Sequence, residues 1–216
     1  MTLSVAALEP LVTALARGNV VAIATESFFG LLADAGRPDA IERLLSLKPR
    51  GSDKGMPLVL PSKEAWSGLV IEVPKVASVL AHAFWPGGLS IALSLASGVD
   101  ARLGLDGRLA VREPGASPAR ELVRAYGRPL TATSANLPGE PPATTAEAVE
   151  RAFPQAVKDG LLTVWRDPAP GGLPSTVVVL EGERVWIARD AAVPRRAIAD
   201  VLAKSGVVLD AIEPRG

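Results

Sequence analysis

The chain has 216 residues, 48% of them hydrophobic, and its 23 Lys and Arg are balanced by 23 Asp and Glu. That is enough apolar content to bury a core, and a zero net charge excludes the global basic field through which proteins neutralise nucleic-acid phosphates. Cysteine is absent, which excludes disulfides, thiolate nucleophiles and Cys-based zinc sites and fits a reducing, cytoplasmic setting.

From the N-terminus, "MTLSVAALEP" lacks a basic n-region and meets Glu9 and Pro10 before an apolar run develops, so no signal peptide is expected. A helix is predicted from about Ala6 to Arg17, with Pro10 in its first turn and Gly18 as its stop; the run "VVAIA" after it reads as a buried strand. Pro38 opens an amphipathic helix, "PDAIERLLSL", followed by the basic loop "KPRGSDKG" and a second strand, "MPLVL". Helical patterns near 62–69 and 74–84 precede the strand "LSIALSL". The uncharged stretch 84–99 is cut by "PGG" and falls short of the roughly 20 apolar residues of a bilayer span, so a soluble chain without membrane contact is expected.

"RLAVRE" is the next strand. Ser117 and Pro118 read as N-cap and first residue of the helix "ARELVRAY", closed by Gly127. "PLTAT" then runs as a strand into "SANLPGEPP", and Thr144 with Glu147 has capping-box spacing ahead of "AEAVERAF". "LLTVW", "STVVVL" and "RVWIA" read as strands, the last two as a hairpin, and "PRRAIADVLAKSG" as a final helix. "RDPAPGGLP" reads as an ordered surface loop, since strands flank it. Strands alternating with helices predict an α/β fold: one domain over 1–216, an open, twisted, mixed sheet with flanking helices, its core at about 8–192 and a C-terminal helix and tail at 193–216.

His82, the one histidine, lies within a helical pattern and reads as a helix-face residue. With no G-x-S-x-G, a Ser-His-Asp hydrolase is excluded, and neither G-x-x-x-x-G-K-[ST] nor G-x-G-x-x-G is present. What remains is a set of polar clusters where predicted strands end: "TESFFG", "KPRGSDKG", "VRE", "TSAN" and "PSTV". Open α/β sheets bind ligands at such ends. Lys and Arg supply fixed positive charge, Ser, Thr and Asn short-range donors, and Gly and Pro a close-approaching backbone. Taken singly, each has a plainer reading: a basic loop is usually a solvated surface, and Ser and Asn after a strand usually cap or turn.

Taken in order, "ATESFFGLLADA", "LKPRGSDKGMPLVL", "FWPGGLSIAL", "LAVREPG", "PLTATSANLPGEPPATTAEAV" and "PSTVVVL" with "IARDAA" resemble the YrdC-like family, the L-threonylcarbamoyladenylate synthases of the short form. The resemblance implies a twisted open sheet around a concave basic cavity. It implies a nucleotidyltransferase that combines L-threonine, bicarbonate or carbon dioxide and ATP, with Mg2+, into threonylcarbamoyl-AMP and pyrophosphate. Partner transferase proteins then carry the threonylcarbamoyl group to adenosine 37 of tRNA, which the enzyme itself binds weakly.

On the same resemblance Lys48 and Arg50 face the triphosphate, with Lys54 assisting, and Ser134, Asn136 and Arg189 meet the nucleotide. Thr25, Phe29, Thr133 and Ser175 lie on the threonine side. Arg112 sits by the threonine carboxylate or the carbamate, and Lys48, Arg50 and Arg112 are the catalytic cations. Phe29 occupies a position where many members have tyrosine, "IARDAA" departs from the usual arginine-proline-glycine, and Gly88 in "FWPGGL" replaces a common proline. Alternative readings are an RNA-binding module on the concave face, and a paralogue forming a carbamoyl adenylate.

Overall fold

The computed structural model describes residues 3–48, 55–182 and 184–210. Ser4 accepts a hydrogen bond from the Ala7 amide at 3.3 Å and caps α1 (Val5–Ala16), whose Leu8, Leu11 and Leu15 are buried. Pro10 therefore falls in the second turn, one turn later than its sequence context suggests. Gly18 ends the segment at φ 76°, where a Cβ would lie 2.7 Å from the Asp39 carboxylate, and the chain enters β1 (Val20–Ala24).

The following segment differs from expectation. Thr25 to Phe28 form a tight turn, and Phe29–Leu32 return as β2, antiparallel to β1 with Ala24 opposite Phe29. All nine residues of the pair are buried. A strand buried on both faces shows no alternation, which is why "FGLL" does not announce itself.

Next come α2 (Pro38–Leu47), started by Pro38, and β3 (Leu58–Val59). A single 3-10 turn, Lys63–Trp66, stands where a longer helix is predicted. Then follow α3 (Lys75–Phe84), β4 (Leu89–Ser94), β5 (Arg108–Arg112) and α4 (Pro118–Tyr126). Ser117 accepts from the Arg120 amide at 3.3 Å and Gly127 closes α4 at φ 76°. "PLTAT" is divided: β6 (Leu130–Thr131) and β7 (Thr133–Ser134) belong to different sheets, with the Ala132 amide donating to Pro57 O at 2.8 Å between them.

The cap of α5 (Ala146–Ala152) is Thr145, which accepts from the Ala148 amide at 3.2 Å, so the N-cap falls one residue after the expected Thr144, and the third helical residue, Ala148, cannot complete a capping box. After it come α6 (Pro154–Lys158), β8 (Leu162–Val164), β9 (Thr176–Glu181), β10 (Arg184–Arg189) and α7 (Arg195–Ala203).

The described strands form two open mixed sheets, ordered β7-β2-β1-β8 and β10-β9-β4-β5-β3-β6. In the larger, β9 and β10 form the expected hairpin and β4 lies parallel to β9. Ile198 and Leu202 of α7 and Leu80 of α3 share one core with Ile91, Val111, Val178 and Ile187, so these helices cover one face of this sheet. The helices α1 and α4 pack against β1 around Leu15, Val21, Leu122 and Val123. Among the described residues no helix is long and apolar enough to cross a membrane.

A buried carboxylate ties α4 to the smaller sheet. Asp34 is fully buried, accepts from the Tyr126 hydroxyl at 2.7 Å and the Gly36 amide at 2.9 Å, and pairs with Arg128 at 3.0 Å. Burial, then the hydrogen bond to Asp34, pushes the Tyr126 phenol from 10.0 to about 12. The folded state thus favours the protonated phenol; this stabilisation is complete below the ordinary tyrosine range and is lost as pH rises towards the folded value. The wild-type melting temperature is expected to fall more steeply between pH 10 and about 12 than that of Tyr126→Phe. Parallel curves in alkaline thermal denaturation overturn this.

Candidate functional site

The point where the chain crosses between sheets is also where polar side chains gather. A cavity of about 170 Å³ is lined from the smaller sheet by Thr25, Phe29, Gly30, Thr133 and Ser134, and from the larger by Ser90, Arg112, Ser175 and Arg189. Strand register explains the second group. Arg189 lies opposite Val177, Val177 opposite Ser90, and the β4–β5 register, continued by one residue, sets Ser90 opposite Arg112. Arg189, Val177, Ser90 and Arg112 therefore form one row across β10, β9, β4 and β5, with a register shift in β10 between Ile187 and Arg189, and Ser175 immediately precedes β9.

Arg112 is held rigidly. Its Nη1 donates to Glu26 Oε1 at 2.6 Å and Gly87 O at 3.2 Å, its Nη2 to Glu26 Oε2 at 3.1 Å, and the Gly115 amide donates to the same carboxylate at 2.5 Å. Glu26 sits in the turn between β1 and β2, so one carboxylate joins that turn to the end of β5. Arg189 has no carboxylate partner among the described residues; it donates to Ser175 O at 2.8 Å and Ser175 Oγ at 3.0 Å. Desolvation, and secondarily the Arg112 charge, hold its pKa below the usual arginine value. Two guanidiniums facing one slot repel each other, and an anion between them relieves that repulsion.

The hydroxyls are unequal. The Thr25 hydroxyl is committed to its turn, donating to Phe28 O at 2.8 Å and accepting from the Ser27 and Phe28 amides at 3.3 Å. Its chemistry here is to shape the loop that carries Glu26. Thr133 Oγ1 is buried without a protein partner, and a buried hydroxyl facing a cavity is suited to a ligand atom. Ser90 and Ser175 share a hydrogen bond at 3.0 Å. Phe29, 1% exposed, supplies an apolar wall. Thr176 closes the segment after β10: its hydroxyl accepts from the Ala191 and Val193 amides and donates to Val193 O.

Lys48 ends α2 and is buried behind the cavity wall. Its Nζ donates to Ser134 O at 2.5 Å, Ser134 Oγ at 3.1 Å and Asn136 Oδ1 at 3.0 Å. The Asn136 amide donates to Leu137 O and Glu140 O, so this side chain braces the loop after β7 and lies outside the cavity lining. Arg50 and Lys54 lie outside the described residues.

The structure thus brings Thr25, Phe29, Arg112, Thr133, Ser134, Ser175 and Arg189 to one cavity, with Lys48 and Asn136 one layer behind. Sequence reasoning passed over Glu26, Ser90 and Thr176. A signal existed for each: Glu26 follows Thr25 directly, Ser90 is one of the alternating serines of β4, and Thr176 is the threonine of "STVV". Among the described residues no group of three or more His, Cys, Asp or Glu could hold a metal ion.

Fold and site define a class: an α/β protein whose two open sheets meet at a slot flanked by arginines and hydroxyls, suited to a small anionic ligand. The chain belongs to the Sua5/YciO/YrdC family, whose family model, described as "Telomere recombination", matches residues 13–191. It is 36% identical over 166 residues to the threonylcarbamoyl-AMP synthase of Vibrio parahaemolyticus, covering 76% of this chain and 88% of that one. To the threonylcarbamoyl-AMP synthase of Xanthomonas campestris it is 35% identical over 188 residues, covering 85% and 97%. The structure is similar to that of Pyrococcus abyssi Sua5 complexed with L-threonine, at TM-score 0.83 and 28% identity, covering 94% of this chain. The chain spans 58% of that Sua5 polypeptide.

Proposed function

We propose that this protein is an L-threonylcarbamoyladenylate synthase, and hence a nucleotidyltransferase. The observation that carries the reading is the convergence of Arg112, Ser134, Ser175 and Arg189 on one cavity beside Thr133 Oγ1. In the reaction, the threonine amine takes up bicarbonate with loss of water, or carbon dioxide with release of a proton, to give a carbamate. A carbamate oxygen attacks the α-phosphorus of ATP, an O–P bond forms, and the bond to pyrophosphate breaks.

Such a reaction asks for alignment of two anions and stabilisation of charge growing on phosphate oxygens, which cations and amide or hydroxyl donors provide without histidine or cysteine. Arg112, oriented by Glu26, faces the threonine carboxylate or the carbamate, with Thr25, Phe29, Thr133 and Ser175 shaping that side. Arg189 and Ser134 meet the phosphates, and Lys48 with Asn136 holds the Ser134 loop against them; Arg50 and Lys54, outside the described residues, are assigned to the triphosphate by the family resemblance alone. The described residues offer no carboxylate cage for a resident metal. Magnesium therefore enters as part of the MgATP substrate, held chiefly by phosphate oxygens. The adenylate passes to transferase proteins that modify tRNA, with weak tRNA binding by the synthase itself.

Purified protein given ATP, magnesium, bicarbonate and L-threonine is expected to yield a threonine-dependent adenylate, detected by mass spectrometry in fresh, cold samples. Absence of that product overturns the reading, as does an adenylate formed from carbamoyl phosphate but not from threonine and bicarbonate.

A further inference from the structure

A second cavity, of about 640 Å³, shares no lining residue with the site described above. Ser90 and Arg112 of that site alternate along β4 and β5 with Ile91 and Val111, which share a core with Leu80 of α3 and Ile198 of α7. Successive side chains of a strand point to opposite faces, so the two cavities lie on opposite sides of the larger sheet. The second is bounded by α3, the end of α7 and the 3-10 turn Lys63–Trp66.

Its make-up is uneven. Lys75, Ser78, Val79 and His82 are spaced i, i+3, i+4 and i+7 and form one stripe of α3, about 10 Å long. Val201 and Lys204 contribute from α7. The walls are mostly apolar: Trp66 and Ala81, 8% and 2% exposed, form the floor, and Val79 and Val201 are half-buried. Lys63, Lys75, Lys204 and His82 are exposed and stand at the rim. Among the described residues Glu64 is the single carboxylate of the lining, and neither Lys75 nor Lys204 is ion-paired. In a chain of zero net charge this rim is locally positive.

An apolar floor under a cationic rim suits one kind of ligand. An apolar body gains by leaving water, and lysine stems can lie along it while their ammonium groups stay hydrated beside an acidic head. The volume falls within the range of small-molecule sites, roughly 300–1,000 Å³. The chain's own tail is led elsewhere: Gly206 turns at φ 74°, Val207 N donates to Leu202 O at 3.1 Å, and Asp210 N donates to Val185 O of β10 at 2.8 Å.

We propose that this cavity is a second ligand site, which takes a small amphipathic anion, an apolar body ending in one acidic group. The geometry favours a free molecule over a lipid in a membrane, because the apolar side chains line a hollow instead of projecting from the surface. The proposal does not depend on the synthase reading.

The test titrates decanoate, below its micellar range, and decyltrimethylammonium, which sets the opposite charge on the same chain, into the wild-type protein, Val79→Glu and Lys75→Glu/Lys204→Glu by calorimetry. The indole NMR resonances of Trp66 and Trp186 report the place of binding. Both variants change exposed or half-buried side chains and so keep the fold. Wild-type protein is expected to bind decanoate saturably and about tenfold more tightly than decyltrimethylammonium; Val79→Glu weakens decanoate about tenfold, and the double variant inverts the preference between the two ions. The Trp66 resonance shifts, whereas that of Trp186, which alternates with the core residue Ile187, stays in place. Absence of saturation, equal binding of the two ions, or isotherms unchanged in both variants overturns the site. So does displacement of decanoate by ATP or L-threonine, which puts the anion in the catalytic cavity, and so does lysine-dependent binding to phosphatidylglycerol vesicles without binding of free decanoate, which gives this face to a membrane.

Discussion

Arg112→Ala is expected to lower kcat/KM for adenylate formation by at least about a hundredfold, the scale on which removing one preorganised donor to developing charge acts. The fall follows from position and geometry. The guanidinium lines the cavity while both terminal nitrogens are anchored, at 2.6 and 3.1 Å, to Glu26. Truncation also leaves a carboxylate that is only 27% exposed with the Gly115 amide as its remaining partner. A fully buried broken pair costs more, and this partial exposure reduces the expected loss of stability to about 2 kcal/mol. Arg112→Lys keeps the charge but cannot donate in a fork, so its activity should lie between the two. Glu26→Gln separates the contributions: it preserves the shape around Arg112 while removing the ion pair, and should restrict the loss mainly to the threonine and bicarbonate KM values. Turnover in Arg112→Ala within about threefold of wild type would sink the assignment.

How much of this site the sequence disclosed depends on the kind of interaction. Elements with strong local signals came through: Pro38 opening α2, Ser117 and Gly127 bounding α4, and the β9–β10 hairpin with its short link. The turn at Thr25 was legible as a polar cluster but β2 was not, since its four residues are all buried and carry no period. The division of "PLTAT" between two sheets is invisible locally. It depends on Pro57 O and Ala33 O, remote in sequence, receiving the Ala132 and Thr131 amides. The same holds for the site: the residue types were readable, whereas the row from Arg189 to Arg112 exists only through strand register. Lys48 illustrates the limit. The family resemblance marked it as a ligand group, and in the folded chain its ammonium donates to Ser134 and Asn136. Only tertiary structure places it behind the wall.

Lys48→Met should therefore act on stability and on nucleotide affinity together. Methionine has nearly the same reach but no donors, so Ser134 O, Ser134 Oγ and Asn136 Oδ1 lose one shared ammonium in a region where Lys48 is only 7% exposed. Unsatisfied acceptors of this kind cost about 1–3 kcal/mol each, but some reach water, and the net loss expected in thermal or urea denaturation is about 2–3 kcal/mol. The loop after β7 then loses its anchor, and the ATP KM should rise about 10- to 100-fold while the threonine KM changes less. Salt separates two ways this can happen. An ammonium that meets the triphosphate directly makes wild-type ATP affinity fall with ionic strength, more steeply than in the variant. An ammonium that only braces Ser134 leaves the two slopes equal, with the affinities merely offset. Equal slopes confine Lys48 to holding the wall, and wild-type ATP affinity in Lys48→Met removes it from the site altogether.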